Sequence, residues 1–268
     1  MDADLPTAEQ TSGKDGETID EILGGRLRIV QKRSGYRFSI DAILLAHFVV
    51  LTEGEECLEL GAGSGVVALI LSRRYRCRRI LGIDIQEELV SMASRSAEMN
   101  SLAGCVEFRR GDVRRPESLC APNSFEAVVL NPPYRRLRSG RMNPDPAKAI
   151  ARHEVAGTLG DFLAAAAHAL RDGGRVTAIY PARRMAEMIA RMRGCRIEPK
   201  RMRIVHSRPG GVGEFLLIEG VKRGGEELTV LPPLFIYGEG DAYSAEMAAI
   251  FRELSASPAR GDGRSPSP

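Results

Sequence analysis

The sequence predicts a doubly wound α/β fold with a mostly parallel sheet of about seven strands, and three patterns carry that expectation. Short apolar runs of strand length alternate with longer amphipathic runs of helix length through most of the chain. Polar residues able to hold a ligand, Glu59, Asp84, Asp112 and Asn131, close four successive strand patterns, and open α/β sheets bind ligands at the carboxyl ends of their strands. Two strand patterns with no helix between them, 200–206 and 214–221, then close the sheet as an antiparallel hairpin.

Taken in order, residues 1–17 are polar and are expected to be disordered. Residues 18–50 are expected to form a hairpin and a helix lying over the ligand site. The hairpin covers 21–34 and turns at Gly24-Gly25, and Ser39-Ile40-Asp41 opens a helix running through Val50. The main domain is read over 51–254. Its first strand, Leu58-Glu59-Leu60, runs into Gly61-Ala62-Gly63-Ser64-Gly65 and a helix beginning Val66-Val67-Ala68. Strands follow at 79–84, 106–113 and 127–130, with a helix over 87–100. A helix over 159–170 ends at Asp172-Gly173-Gly174, a fifth strand covers 174–180, and another helix covers 183–192. The tail, 255–268, is rich in Ser, Pro and Gly and is expected to be disordered.

Composition narrows the function classes. At 268 residues and 43% hydrophobic content the chain can bury a full core. Its five cysteines, Cys57, Cys77, Cys105, Cys120 and Cys195, form no C-x-x-C pair and give no disulfide framework. The histidines, His47, His153, His168 and His206, share no ligand spacing, so no metal is expected. No apolar run spans a bilayer and the N-terminus is not signal-like, which predicts a cytoplasmic protein with no membrane partner. The formal charge of +3 does not by itself demand a nucleic-acid partner.

Two motifs carry chemistry. Three glycines at alternate positions, Gly61, Gly63 and Gly65, between a strand and a helix let backbone approach a nucleotide-like ligand at a helix N-terminus. The spacing differs from the G-x-G-x-x-G dinucleotide fingerprint, and no Walker lysine follows. Glu59 suits a cationic amino group, Asp84 the ribose hydroxyls, and Asp112 the exocyclic amine of an adenine. Ala62, Ile85 and Val113 flank these positions and complete the expected ligand-binding set with Phe38 and Asp41, which either close the site or serve as a core aromatic and a helix cap. The second motif is Asn131-Pro132-Pro133-Tyr134, directly after the apolar run 127–130. Asn131 and the Pro132 carbonyl can accept hydrogen bonds from a planar amine, and Tyr134 can stack on the ring that carries it. The competing reading is a Pro-rich turn.

With these motifs the chain resembles the class I S-adenosylmethionine-dependent methyltransferases that carry an Asn-Pro-Pro-Tyr tetrad. Within them it is similar to bacterial tRNA(Val) adenine-N6-methyltransferases, on residues 36–45, 58–65, 131–134 and Ala151-Arg152-His153-Glu154. The resemblance covers roughly residues 20–250. It implies a Rossmann-like fold, S-adenosylmethionine as methyl donor, and an RNA substrate, a tRNA adenine beside the anticodon. It also implies a catalytic tetrad at Asn131, Pro132, Pro133 and Tyr134, with Asn131 beside the methyl donor as well.

Substrate contacts are expected from Tyr134, Arg135, Arg136, Arg138 and Arg152, with Arg141 in the same loop. A second basic stretch, Arg183 to Arg203, either contacts phosphate or forms a solvated face. Methylation of a protein glutamine is the alternative; such enzymes usually have a sizeable helical domain ahead of the core, where this chain has about fifty residues. DNA adenine methylation would call for a target-recognition domain. The sequence leaves the oligomeric state open.

Overall fold

A computed structural model describes residues 8–12, 16–33, 37–133, 157–238 and 240–256. Strands β1 (Ala8–Ser12), β2 (Glu17–Ile22) and β3 (Leu27–Lys32) form a small antiparallel sheet in the order β1-β2-β3. The hairpin turns at Leu23 to Arg26, where Leu23, Gly24 and Gly25 all have positive φ. Strand β1 lies within the segment expected to be disordered; pairing with β2 supplies backbone partners that a polar composition does not reveal. Helix α1 (Ile40–Phe48) follows, nearly all of its residues buried.

Among the described residues the main sheet has nine strands. It opens with β4 (Glu56–Leu60), helix α2 (Val66–Arg74), β5 (Arg79–Asp84), helix α3 (Glu87–Met99), β6 (Val106–Arg110) and β7 (Phe125–Leu130). Helix α4 (Leu159–Ala169) begins with a reciprocal cap, Thr158 accepting from the Asp161 N–H and the Asp161 carboxylate accepting from the Thr158 N–H. Strand β8 (Leu170–Pro181), helix α5 (Met185–Gly194), β9 (Ile197–His206) and β10 (Gly213–Lys222) follow. The two-residue strands β11 (Thr229–Val230) and β12 (Leu234–Phe235), and helix α6 (Ala245–Ser255), finish the described chain.

The order across the sheet is β11-β9-β10-β8-β7-β4-β5-β6, with β12 also beside β9. Strands β6, β5, β4, β7 and β8 are mutually parallel, and β10 runs antiparallel between β8 and β9. The doubly wound sheet and closing hairpin are as the sequence predicts. The two extra strands exceed the expected seven because two residues on either side of Pro232-Pro233 are too short to show a period.

Alternation along the strands sends side chains to two cores. Cys57, Ile80, Ala127 and Val129 join the core under α1, α2 and α6, whereas Leu58, Leu60, Leu81, Val128 and Leu130 join the core under α4 and α5. Burial on both faces explains why these strands read as continuous apolar runs.

One boundary differs instructively. Helix α4 stops at Ala169 and β8 starts at once, so Asp172-Gly173-Gly174 lies inside the strand. Gly173 has φ +78°, and a Cβ on Gly174 would lie 2.9 Å from the Arg171 carbonyl oxygen. The register against β7 shifts just there, so the glycines serve a strand irregularity instead of a helix stop.

Candidate functional site

The site is built where β4, β5 and β7 end side by side. The loop after β4 folds over β5, with the Gly61 and Ala62 N–H groups both donating to the Ile83 carbonyl, at 2.8 and 2.9 Å. Gly61, Gly63 and Gly65 have φ of 75°, 56° and 80°. Gly65 is the N-cap of α2, and a Cβ there would lie 2.5 Å from the Phe108 ring and 2.9 Å from the Ala93 Cβ. The left-handed turn and the close approach to β6 and α3 both require glycine at that position.

Asp84, at the end of β5, ties this loop to the next helix. One carboxylate oxygen accepts from the Gly63 N–H and the other from the Gln86 N–H, both at 2.9 Å. Burial pushes its carboxyl above the usual range, against the opposing pull of those backbone donors. Each oxygen retains acceptor capacity beyond one backbone bond, as a ribose diol requires. Ile85, half-buried, follows it at the sheet edge.

Glu59 lies deeper than a surface ammonium site would need. It is 4% exposed, and its Oε2 accepts from the Ala68 N–H at 2.9 Å, a donor in the first turn of α2. Burial pushes its carboxyl up to about 8, so at neutral pH it holds a proton and ties β4 to α2.

Asp112 lies two residues past the end of its strand, which is shorter than the 106–113 expected. Strand β6 ends at Arg110, and the Asp112 carboxylate grips the Arg114 guanidinium, with an Nη2 to Oδ2 distance of 2.7 Å. That arginine, through its hydrogen bonds, holds the Asp112 carboxyl below the usual range. Val113 is buried in the core with Leu119 and Phe162, which leaves its backbone as the part able to meet a ligand.

Asn131 follows β7 at the same edge, next in the sheet to the glycine loop. Its Nδ2 donates to Asp41 Oδ2 at 3.0 Å. Asp41, 9% exposed in the first turn of α1, accepts at Oδ1 from the Ser39 hydroxyl and the Ala42 N–H. Phe38 is buried just ahead of them. Pro132 is buried and Pro133 exposed. Tyr134, Arg135, Arg136, Arg138, Arg141, Arg152, His153 and Glu154 lie outside the described residues.

The long-range bond from Asn131 to Asp41 was not visible in the sequence, where Asp41 reads either as closing the site or as a helix cap. A bond between residues ninety positions apart carries no periodic signal.

Much of the second basic stretch is structural. Arg201 pairs with Glu219, donates to the Phe48 carbonyl and covers the Phe48 ring. Arg203 donates to the Pro232 carbonyl and pairs with Glu246, and Arg193 pairs with Glu198. Arg183 is exposed beyond the end of β8, on the same edge as Asn131. Among the described residues no group of three His, Cys, Asp or Glu could hold a metal ion, and no helix is long and apolar enough to cross a membrane.

The "tRNA1(Val) (adenine(37)-N6)-methyltransferase" of Porphyromonas gingivalis strain W83 is 29% identical over 136 residues, covering 50% of this chain and 52% of that protein. The protein of the same name from Aeromonas hydrophila is 32% identical over 151 residues, covering 56% and 61%. The chain thus spans between half and two thirds of the length of these relatives. A crystal structure of a predicted O-methyltransferase from Agrobacterium tumefaciens superposes with a TM-score of 0.65 at 23% identity, covering 82% of this chain and all of that one, a likeness of fold. The model of the methyltransferase small domain matches residues 39–193, more than half of the chain and every strand end described above, and the chain belongs to that family, with the Rossmann-like fold of class I S-adenosylmethionine-dependent methyltransferases.

Proposed function

We propose that this protein methylates the N6 amine of an adenine in RNA, a tRNA adenine beside the anticodon, with S-adenosylmethionine as the donor. The observation that carries this reading is the placement of Asn131, its amide nitrogen bonded to Asp41, beside the glycine loop at the end of β4. Family membership and the printed names of the relatives support the choice of chemistry and substrate.

The residues present fit the donor. Backbone from Gly61 to Gly65 would lie along it, Asp84 would accept from the ribose hydroxyls, and Ile85, Val113 and Phe38 would flank the adenine. S-adenosylmethionine supplies an electrophilic methyl group already activated by its positive sulfonium.

The chain's own work is alignment and acceptance. An adenine amine is delocalised into its ring and is a poor nucleophile. When its two hydrogens donate to Asn131 Oδ1 and the Pro132 carbonyl oxygen, the nitrogen moves towards sp3 character and its lone pair is localised. Holding that amine in line is the larger contribution. No side-chain base is needed beforehand, because the amine is neutral, and the methylated amine then loses its proton to water.

The test is incubation with radiolabelled S-adenosylmethionine and total tRNA from a strain lacking the enzyme, followed by nucleoside analysis. Label in N6-methyladenosine is the expected result. Label confined to a protein glutamine would overturn the RNA assignment, and label in another nucleoside would overturn the adenine assignment.

A further inference from the structure

We infer that Asp41 is a positioning residue that fixes the orientation of the Asn131 amide, and that the N-terminal hairpin is the clamp that holds Asp41 in place. The inference rests on the reading of Asn131 as the acceptor for the reacting amine.

An asparagine side chain has two orientations related by a half-turn, which exchange its oxygen and nitrogen. Only one of them presents oxygen to an incoming amine; the other sets NH2 against NH2. A carboxylate is an acceptor alone, so Asp41 Oδ2, 3.0 Å from Asn131 Nδ2, selects the orientation with nitrogen towards itself. The oxygen is then directed to the other side. The Asp41 carboxylate is itself held, since Oδ1 accepts from the Ser39 hydroxyl at 2.5 Å and the Ala42 N–H at 2.9 Å.

The segment bearing Ser39 and Asp41 is anchored to the hairpin by polar contacts. The Arg37 guanidinium donates to Thr18 Oγ1 at 3.1 Å and the Lys32 carbonyl at 3.0 Å, and pairs with Asp20, whose side chain is fully buried. Gln31 also donates to Asp20, and its side-chain oxygen faces the Phe38 N–H at 3.4 Å. A buried carboxylate is costly unless paired, so this cluster fixes one path for residues 37–39. Beyond them the apolar face of α1 packs on α2, β8 and β10. Hairpin, strap, Asp41 and Asn131 therefore form one connected chain of contacts.

Asp41→Ala and Ser39→Ala in the full chain test the idea in two arms. The first needs no reaction: the side-chain amide resonances of Asn131, identified by their loss in Asn131→Ala, are followed by 15N NMR. Asp41→Ala is expected to shift them, and unshifted resonances would overturn the inference even if RNA proves not to be the substrate. In the second arm S-adenosylmethionine and total tRNA are the substrates. Asp41→Ala should lower kcat roughly 10- to 100-fold and Ser39→Ala by less, with affinity for S-adenosylmethionine within about threefold of wild type. Asp41→Asn, which keeps an acceptor oxygen, should recover part of the rate. In the Asn131→Ala background, Asp41→Ala should cause no further loss. A kcat within twofold of wild type, or a tenfold loss of S-adenosylmethionine affinity with kcat retained, would overturn it. The latter would make Asp41 a ligand of the donor.

Discussion

Asp84 at the end of β5 and Asn131 just after β7 stand on either side of β4, and the proposed function gives them different tasks that substitution should separate. Asp84 serves the backbone of the glycine loop and of α3 at once, so Asp84→Ala removes the acceptors of the buried Gly63 N–H and the Gln86 N–H as well as the proposed acceptor for the ribose. Donor affinity should fall roughly 10- to 100-fold by calorimetry, the scale of a charged hydrogen bond left unmade. Burial raises the Asp84 carboxyl, so donor affinity should decline on acidification at a higher pH than for an ordinary aspartate. Protonation removes acceptor capacity, and in Asp84→Asn this pH dependence should vanish. Asn131→Ala leaves the glycine loop untouched. It should cut methyl transfer by at least roughly 100-fold while donor affinity stays within a few-fold, and full activity in that variant would refute the role of the amide. The placement of Asn131 and Asp84 at strand ends was legible in the sequence, because each closes a strand pattern. The depth at which Glu59 lies was not legible, because sequence gives a residue's position along a strand but not what covers it.

At the scale of elements, Gly65 shows how one backbone position joins a strand, a loop and a helix. Two costs meet at Gly65→Ala: a side chain at φ +80° and a Cβ pressed 2.5 Å from Phe108. Gly54→Ala is the matched control, since Gly54 has φ +84° but nothing within 4 Å of the new Cβ. Urea unfolding should show Gly65→Ala destabilised by roughly 2–4 kcal/mol and Gly54→Ala by about 1 kcal/mol. Equal losses would mean that Phe108 yields freely. The strand and helix spans from β4 to β10 were legible within a few residues, because each strand is buried on both faces and each helix on one. Strands β1, β11 and β12 and helix α6 were not. Strand β1 is polar and is held by pairing with β2, and β11 and β12 are too short to have a period. Helix α6 is tied down by Glu253, which contacts both His47 and Arg74 from other helices.

For the whole molecule, the buried acid under the glycine loop makes stability depend on pH. The Glu59 carboxyl is raised to about 8 by burial, with the Asp84 carboxylate raising it further and the Ala68 N–H opposing. The ordinary value, 4.5, applies to the unfolded chain. Between these values the folded state holds a proton that the unfolded state has lost. Stability from this group is therefore fully present below about 4.5 and is lost as pH rises to about 8, above which it changes no further. Glu59→Gln keeps an acceptor for Ala68 and cannot ionise. Other groups that titrate in the same window, His47 among them, are present in both proteins and cancel in the difference. Urea midpoints at pH 5 and pH 8.5 should show Glu59→Gln gaining on wild type at the higher pH, by up to roughly 4 kcal/mol. Bound S-adenosylmethionine should shrink that gain if its ammonium reaches the carboxylate, since a nearby cation favours the ionised form. A gap independent of both pH and donor would show that Glu59 ionises in the fold as it does in water.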